Sequence, residues 1–380
     1  MRYCKKCVMP DTKPGIKFND DGVCDACENY DNRKYVNWDE RRNELLNILN
    51  KFRSKDASNW DCIVPVSGGK DSTYQVLRLL QLGMNPLCVT ATTCDLSAIG
   101  RQNIENIKAL GVDYIEFSTN KAVRWKMNRL ALMKVGDISW PEHCGIFTIP
   151  VKVAVQYKIP LIVWGENSYN EGGGPAAEDS TFTRSWLDRN LCGLLGLSPH
   201  DFVGHEGIEA KHIIPYTYPT DEELRQVGVT AIFLGYYLPW DGYANALLAQ
   251  ANGMTTYSKT VEGSVVNYEN LDNHQTGIHD YFKYLKFGFG RASDISSLHV
   301  RRERITREDA VAMVRKHDGQ FPWTCLGKPL QDILSPLDLA VDEFVSICDQ
   351  FTNKDIFETD SHGQFIKDKY GCLIKRVPLS

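Results

Sequence analysis

The sequence predicts an α/β architecture, a doubly wound parallel sheet with a cysteine-rich module before it and a helical region after it. Three observations predict it. Short apolar runs alternate with amphipathic helical patterns between Cys62 and Trp164, the pattern that strand–helix–strand crossovers produce. Six small or polar residues, Ser67-Gly68-Gly69-Lys70-Asp71-Ser72, stand where the first apolar run gives way to the first helical pattern. Two C-x2-C pairs precede both.

The first element is the cysteine module, residues 1–35. Cys4 and Cys7 form one pair, Cys24 and Cys27 the other, and the sixteen residues between them include Pro10, Pro14, Gly15 and Gly22, which suit a hairpin-like excursion. Two such knuckles can close a tetrahedron of thiolates around zinc. A stretch of this size cannot bury enough apolar surface to order itself, and a metal contributing on the order of 10 kcal/mol is a sufficient staple. The alternatives are a redox dithiol or four unrelated thiols. Four protein ligands leave no open position, so this zinc is expected to be structural. The other eight cysteines are scattered singly and read as small buried hydrophobes.

Residues 36–292 are read as the central domain. Leu45, Leu46, Ile48, Leu49 and Phe52 among charges predict an amphipathic helix over 37–52, and the polar stretch 53–59 comes next as a boundary. Strands are expected at 62–66, 87–91, 114–117 and 161–164, with helices at 71–82, 98–110, 122–133 and 146–157. Pro65 is awkward inside a buried strand unless it takes an unpaired last position. After Trp164 the signals weaken into a long aromatic-rich segment whose rings suit either core or a substrate platform. Residues 293–380, with apolar periodicity at 310–314 and 337–348, are read as a helical region.

Composition narrows the function classes. The chain has 380 residues, 43% hydrophobic and 24% charged, which excludes a disordered chain, and no apolar run approaches the roughly 18 residues of a membrane span. Forty-three basic against 48 acidic residues give a formal charge of −5, no electrostatic reason to expect nucleic acid or an anionic membrane as the main partner. The opening Met-Arg-Tyr-Cys-Lys-Lys-Cys carries no apolar stretch of signal-peptide type, so a soluble cytoplasmic protein is expected.

The chemistry concentrates in Ser67–Ser72. Glycines let a backbone approach an anion, amides at a helix start point at it, and Ser67, Lys70 and Ser72 add donors and charge, so a phosphate chain is the expected ligand. The spacing is not that of a Walker loop. Asp71 at the helix start can hold Mg²⁺ bridging the same phosphates. The plain alternative is a serine-capped turn. Lys286 and Arg291, flanking Phe287-Gly288-Phe289-Gly290, suit either a second cationic clamp over the phosphates or a solvated basic turn. Thr90 and Ala91 stand at the tip of the second strand, on the same edge of the sheet as the loop. Trp240-Asp241-Gly242-Tyr243 offers a stacking face and carboxylate for a sugar, or packing. His143, between Glu142 and Cys144, lacks a third partner at helical spacing and reads as a satisfied loop histidine.

The loop SGGKDS after a first strand resembles the PP-loop ATP pyrophosphatase superfamily. Together with MRYCKKCVMPDTKPGIKF, the cysteines at 24 and 27, VPVSGGKDSTYQV and KYLKFGFGRASD, it resembles the N-acetyl sugar amidotransferases of bacterial surface glycan synthesis. The resemblance implies that ATP adenylates the acetamido oxygen of an N-acetylated sugar and ammonia then displaces AMP, in lipopolysaccharide O-antigen or flagellar nonulosonic acid pathways. It also implies that adenine lies beside Thr90 and Ala91 and that Gly165 and Glu166 line the nucleotide pocket, Glu166 otherwise being a helix cap. The chain offers no glutaminase of its own: residue 2 is Arg2, and no Cys on a glycine-flanked elbow is paired with a later His-x-Glu. The resemblance therefore implies a separate glutaminase, with a cyclase-like subunit, as the ammonia source. A tRNA thiolation enzyme of the same superfamily is the rival reading, kept open by Cys144 and Cys192.

Overall fold

The computed structural model describes residues 1–165, 181–182 and 195–380. Its sheet contains β1 (Cys62–Pro65), β2 (Pro86–Ala91), β3 (Asp113–Phe117), β4 (Leu161–Trp164), β5 (Thr181–Phe182) and β6 (Thr230–Phe233) in the order β3-β2-β1-β4-β6-β5. Five strands run parallel, and β5 joins the edge antiparallel to β6. The order reverses direction beside β1, where α/β sheets bind ligands at their carboxyl ends.

Helices of eight or more residues among the described ones are α1 (Asp25–Asn32), α2 (Trp38–Phe52), α3 (Lys70–Gln81), α4 (Ala98–Lys108), α5 (Lys121–Val135), α6 (Trp140–Tyr157), α7 (Gly242–Ala251), α8 (Thr276–Phe287), α9 (Arg291–Arg301), α10 (Arg307–His317) and α11 (Val341–Phe351). Alternation along the strands assigns the two faces. Cys62 and Val64 of β1 and Leu161 and Val163 of β4 pack with Leu45 and Leu49 of α2 and Val76 and Leu79 of α3. The intervening Ile63, Ile162 and Trp164 pack on the other face with Ile149, Val153 and Ala154 of α6. Both faces are covered, which is why these strands read as continuous apolar runs.

Pro65 is the last residue of β1. Val66 N–H donates to Val89 O on the β2 side at 3.0 Å, so by alternation the missing Pro65 N–H belongs to the β4 side. There β1 and β4 are paired only at Ile63 and Ile162, and the Val163 carbonyl accepts from the side-chain amide of Gln75 instead. A side chain thus replaces the ladder bond that proline cannot supply.

Several elements differ from the sequence expectation, α1, β5 and α7 among them as additions. Helix α6 starts at Trp140 rather than 146, with Pro141 in its first turn, where a missing N–H costs nothing. Strand β6 is an addition to the expected set, although Thr-Ala-Ile-Phe is a short apolar run after Gly228. The helical region from 293 on does not pack alone: Ile278, Phe282 and Leu285 of α8 share a core with Leu330, Phe344 and Phe357. Among the described residues no helix is long and apolar enough to cross a membrane.

The cysteine module docks on this helical region. Phe289, in the link between α8 and α9, packs against the four cysteines together with Val300. Arg307 Nε donates to the carbonyls of Cys7 at 3.1 Å and Cys4 at 3.4 Å.

Candidate nucleotide site and cysteine cluster

The four cysteines are fully buried. Cys4 and Cys27 Sγ lie 3.9 Å apart, Cys7 and Cys24 Sγ 3.7 Å. A disulfide needs about 2.05 Å, whereas zinc–sulfur bonds of about 2.3 Å in a tetrahedron place sulfurs about 3.8 Å apart. The N–H groups of Lys6, Cys7 and Cys24 approach Cys4 Sγ at 3.4, 3.4 and 3.3 Å, a cradle that favours a thiolate. Donor set, spacing and enclosure fit structural zinc.

The Ser67–Ser72 loop lies between β1 and α3 as its sequence requires. Gly68 has φ +92°, and a Cβ there would meet Ile104 N of α4 at 3.1 Å, so both conformation and close approach need glycine. Gly69 caps α3, its carbonyl accepting from Thr73 Oγ1 at 3.1 Å. Ser67 N–H donates to Ser72 Oγ at 2.9 Å, which closes the turn.

Lys70 is almost buried. Its ammonium is paired with Asp71 and, at 2.7 Å, with Glu269. Asn245 of α7 donates to the other Asp71 oxygen at 2.9 Å. Gly242 leaves room for this arrangement, since a Cβ there would stand 3.1 Å from Lys70 Cε. Glu269 and Asn245 escaped sequence analysis because nothing in their local patterns marks them: Asn245 meets Asp71 across 174 residues.

Two cavities meet at the loop. One, of about 360 Å³, lies over the carboxyl ends of β1, β2 and β4 and has mostly apolar walls that include Val89, Ala91, Phe147 and Trp164. Thr90 and Gly165 line it too; Thr90 Oγ1 donates to Val66 O at 2.6 Å. The other, of about 140 Å³, is framed by the whole Ser67–Ser72 loop, Tyr268 and Glu269. Ser67, Asp71, Ser72 and Asp272 border both. Burial pushes the Asp272 carboxyl above its ordinary range. An apolar compartment joined to a donor-rich one is the shape of a base and its phosphates. Glu166 lies outside the described residues.

Lys286 and Arg291 line neither cavity, which corrects the expectation of a cationic clamp. Lys286 Nζ donates to the carbonyls of Val135 and Gly136 at 2.6 and 2.9 Å, closing the end of α5. Arg291 forms a two-pronged pair with Asp280 at 3.1 Å on each arm. Trp240 is likewise packing rather than platform: it is 3% exposed and meets Tyr74 edge-on at 5.1 Å. Asp241 is held by Arg302 and Arg304. His143 belongs to the first turn of α6, and its partners come from other segments: Asp137 at 3.6 Å and the ring of His279 at 4.8 Å.

Residues 254–370 match a family model. It is described as the LPS biosynthesis protein WbpG-like, C-terminal domain. This WbpG-like stretch runs from the Glu269 side of the phosphate-sized cavity through α8 to α11. A solved structure, the predicted subunit of a tRNA methyltransferase from Methanocaldococcus jannaschii DSM, aligns with 50% of this chain and 75% of its own at 13% identity and a TM-score of 0.28. No curated protein matches the sequence.

Proposed function

We propose that the chain is an ATP-dependent sugar amidotransferase of bacterial surface glycan synthesis. The observation that carries this reading is the joined pair of cavities at the switch point of the sheet, with Ser67–Ser72 bordering both. The WbpG-like match over 254–370 supports the glycan context. The acetamido oxygen of an N-acetylated sugar attacks the α-phosphorus of ATP, pyrophosphate leaves, and ammonia then adds at the imidate carbon and expels AMP, giving an acetamidino sugar. A separate glutaminase, with a cyclase-like subunit, supplies the ammonia.

In this reading the apolar compartment takes adenine, with Thr90, Ala91 and Gly165 at its wall, and the loop amides, Ser67 and Ser72 hold the phosphates. Lys70 exchanges a carboxylate partner for phosphate oxygens and meets the charge that grows on the leaving pyrophosphate. Asp71 is the carboxylate available to Mg²⁺, which when bound supplies further neutralisation of that charge. Asn245 keeps the Asp71 carboxylate oriented.

The thiolation alternative needs a reactive thiol at the cavities, and no described cysteine lines either. Cys144 is buried, burial pushes its thiol up to about 12, and it donates to Tyr216 O at 3.3 Å. Cys192 lies outside the described residues. The test incubates the full chain with ATP, Mg²⁺, ammonium and a panel of diacetamido sugars, following AMP and sugar mass together. A sugar lighter by about one mass unit, formed in step with AMP, supports the reading; AMP formation absent with every sugar and restored by tRNA would replace it.

A further inference from the structure

We infer that Asp137, His143 and His279 form a second metal site, one that holds a divalent ion of the zinc class and leaves a coordination position open. The inference is independent of the reaction proposed above.

Three segments converge to make the site. Asp137 comes directly after Gly136, whose left-handed conformation ends α5. His143 stands in the first turn of α6, and His279 in the first turn of α8. One donor atom from each lies within 4.8 Å of the others. His279 Nδ1 is 2.8 Å from Asp137 Oδ1, and His143 Nδ1 is 3.6 Å from Asp137 Oδ2. Bonds of about 2.0–2.2 Å in a tetrahedron separate their donors by about 3.3 Å; the two imidazole–carboxylate separations fall on either side of that value, the 2.8 Å one being a hydrogen bond that a bound ion would replace.

The His143 nitrogen carries the argument furthest. It is buried and has no hydrogen-bond partner, since 3.6 Å exceeds a hydrogen bond. An imidazole nitrogen in that position is satisfied by an ion placed between it and the carboxylate. Asp137 is braced for the purpose, its Oδ1 also accepting from Ser139 N–H at 2.9 Å. Glu142 is not a member of the cluster: its Oε2 accepts from Asn128 Nδ2 at 2.7 Å and its Oε1 faces Arg124 at 3.6 Å. Glu142 and Asp280 nevertheless add negative potential at His143, against which Lys286 acts on Asp137.

Two imidazoles and one carboxylate select zinc, iron(II), cobalt or manganese over the soft ions that thiolates prefer. Three protein ligands are the hallmark of a site that keeps room for water or a substrate atom. The two imidazole rings retain 31% and 28% side-chain exposure, while the Nδ1 donor of His143 faces inward, towards Asp137. The same helix supplies Ile146 and Phe147 to the wall of the larger cavity, about one turn, or roughly 5 Å, further on.

The full chain, free of any affinity tag and stripped of loosely held metal, is titrated with zinc and then with cobalt. Wild type should bind one equivalent beyond that of the cysteine cluster. That second equivalent should be lost in both His143→Ala and His279→Ala, and in the volume-conserving His143→Gln, while the cysteine equivalent is retained as a check on folding. Its cobalt form should absorb without a sulfur-to-cobalt charge-transfer band. A single equivalent with only thiolate character, or a second equivalent that survives these substitutions, overturns the assignment.

Discussion

Asp71 is shared between an ammonium and an amide, and its oxygens are therefore aimed before any ligand arrives. Replacing it with Asn keeps the shape and removes the charge. AMP formation should fall about 100-fold or more, the scale on which single preorganised electrostatic groups act, with an unchanged circular dichroism spectrum; equal activity in the variant would end its assigned role. Gly68→Ala meets both a left-handed φ and the α4 backbone at 3.1 Å. It should cost about 1–3 kcal/mol in a denaturant titration and loosen nucleotide binding, and a midpoint equal to wild type would mean the loop tolerates a side chain. Much of this site was legible residue by residue, because the glycines and Lys70 are consecutive and their purpose is local. Glu269 and Asp272 were not, since a lone carboxylate in a loop has no sequence signature until the fold brings one to Lys70 and the other to the border of the two cavities.

At the scale of elements, β1 to β4 are all present, with ends that moved by no more than a residue from expectation; β1, β2 and β4 are buried on both faces and apolar almost throughout, whereas β3 is a half-exposed edge strand carrying Asp113 and Glu116. The α8–α9 link departs from expectation for a physical reason. Basic residues around glycines look alike whether they face an anion or the carboxylates of their own neighbourhood, and Asp280 lies on α8 whereas Arg291 opens α9, so no i+3 or i+4 spacing within one helix marks the pair. This pair makes a pH prediction. Burial pushes the Asp280 carboxyl up, but Arg291 and Lys283 outweigh it and hold it well below the ordinary range. A depressed folded-state value contributes stability above the unfolded value of about 3.9 that is lost as pH falls through the folded value. Wild type should thus lose stability progressively below about pH 4. Asp280→Asn should be less stable at neutral pH, by about 1–3 kcal/mol for a partly buried, hydrogen-bonded charge that loses its partner, and the gap should narrow under acid; a gap constant with pH would refute the pairing.

Across the whole molecule, the cysteine module is joined to helices that come after the sheet in the chain. Phe289 and Val300 pack against it, Thr12 Oγ1 donates to Phe287 O at 2.5 Å, and Val8 packs with Ala310, Val311 and Val314 of α10. The spacing of four cysteines announced the module; where it docks depends on contacts nearly 300 residues apart, which no local pattern encodes. Chelation of its metal should therefore deprotect amides of α9 and α10 in hydrogen exchange while those of β1 and β2 stay protected. Uniform deprotection, or none outside residues 1–35, would contradict this. The docking also sets a timetable for synthesis. At translation rates of about 5–20 residues per second, Cys27 leaves the ribosome on the order of tens of seconds before Phe289 is made. A metal captured early would keep the nascent module closed through that interval, as a finished part waiting for its seat.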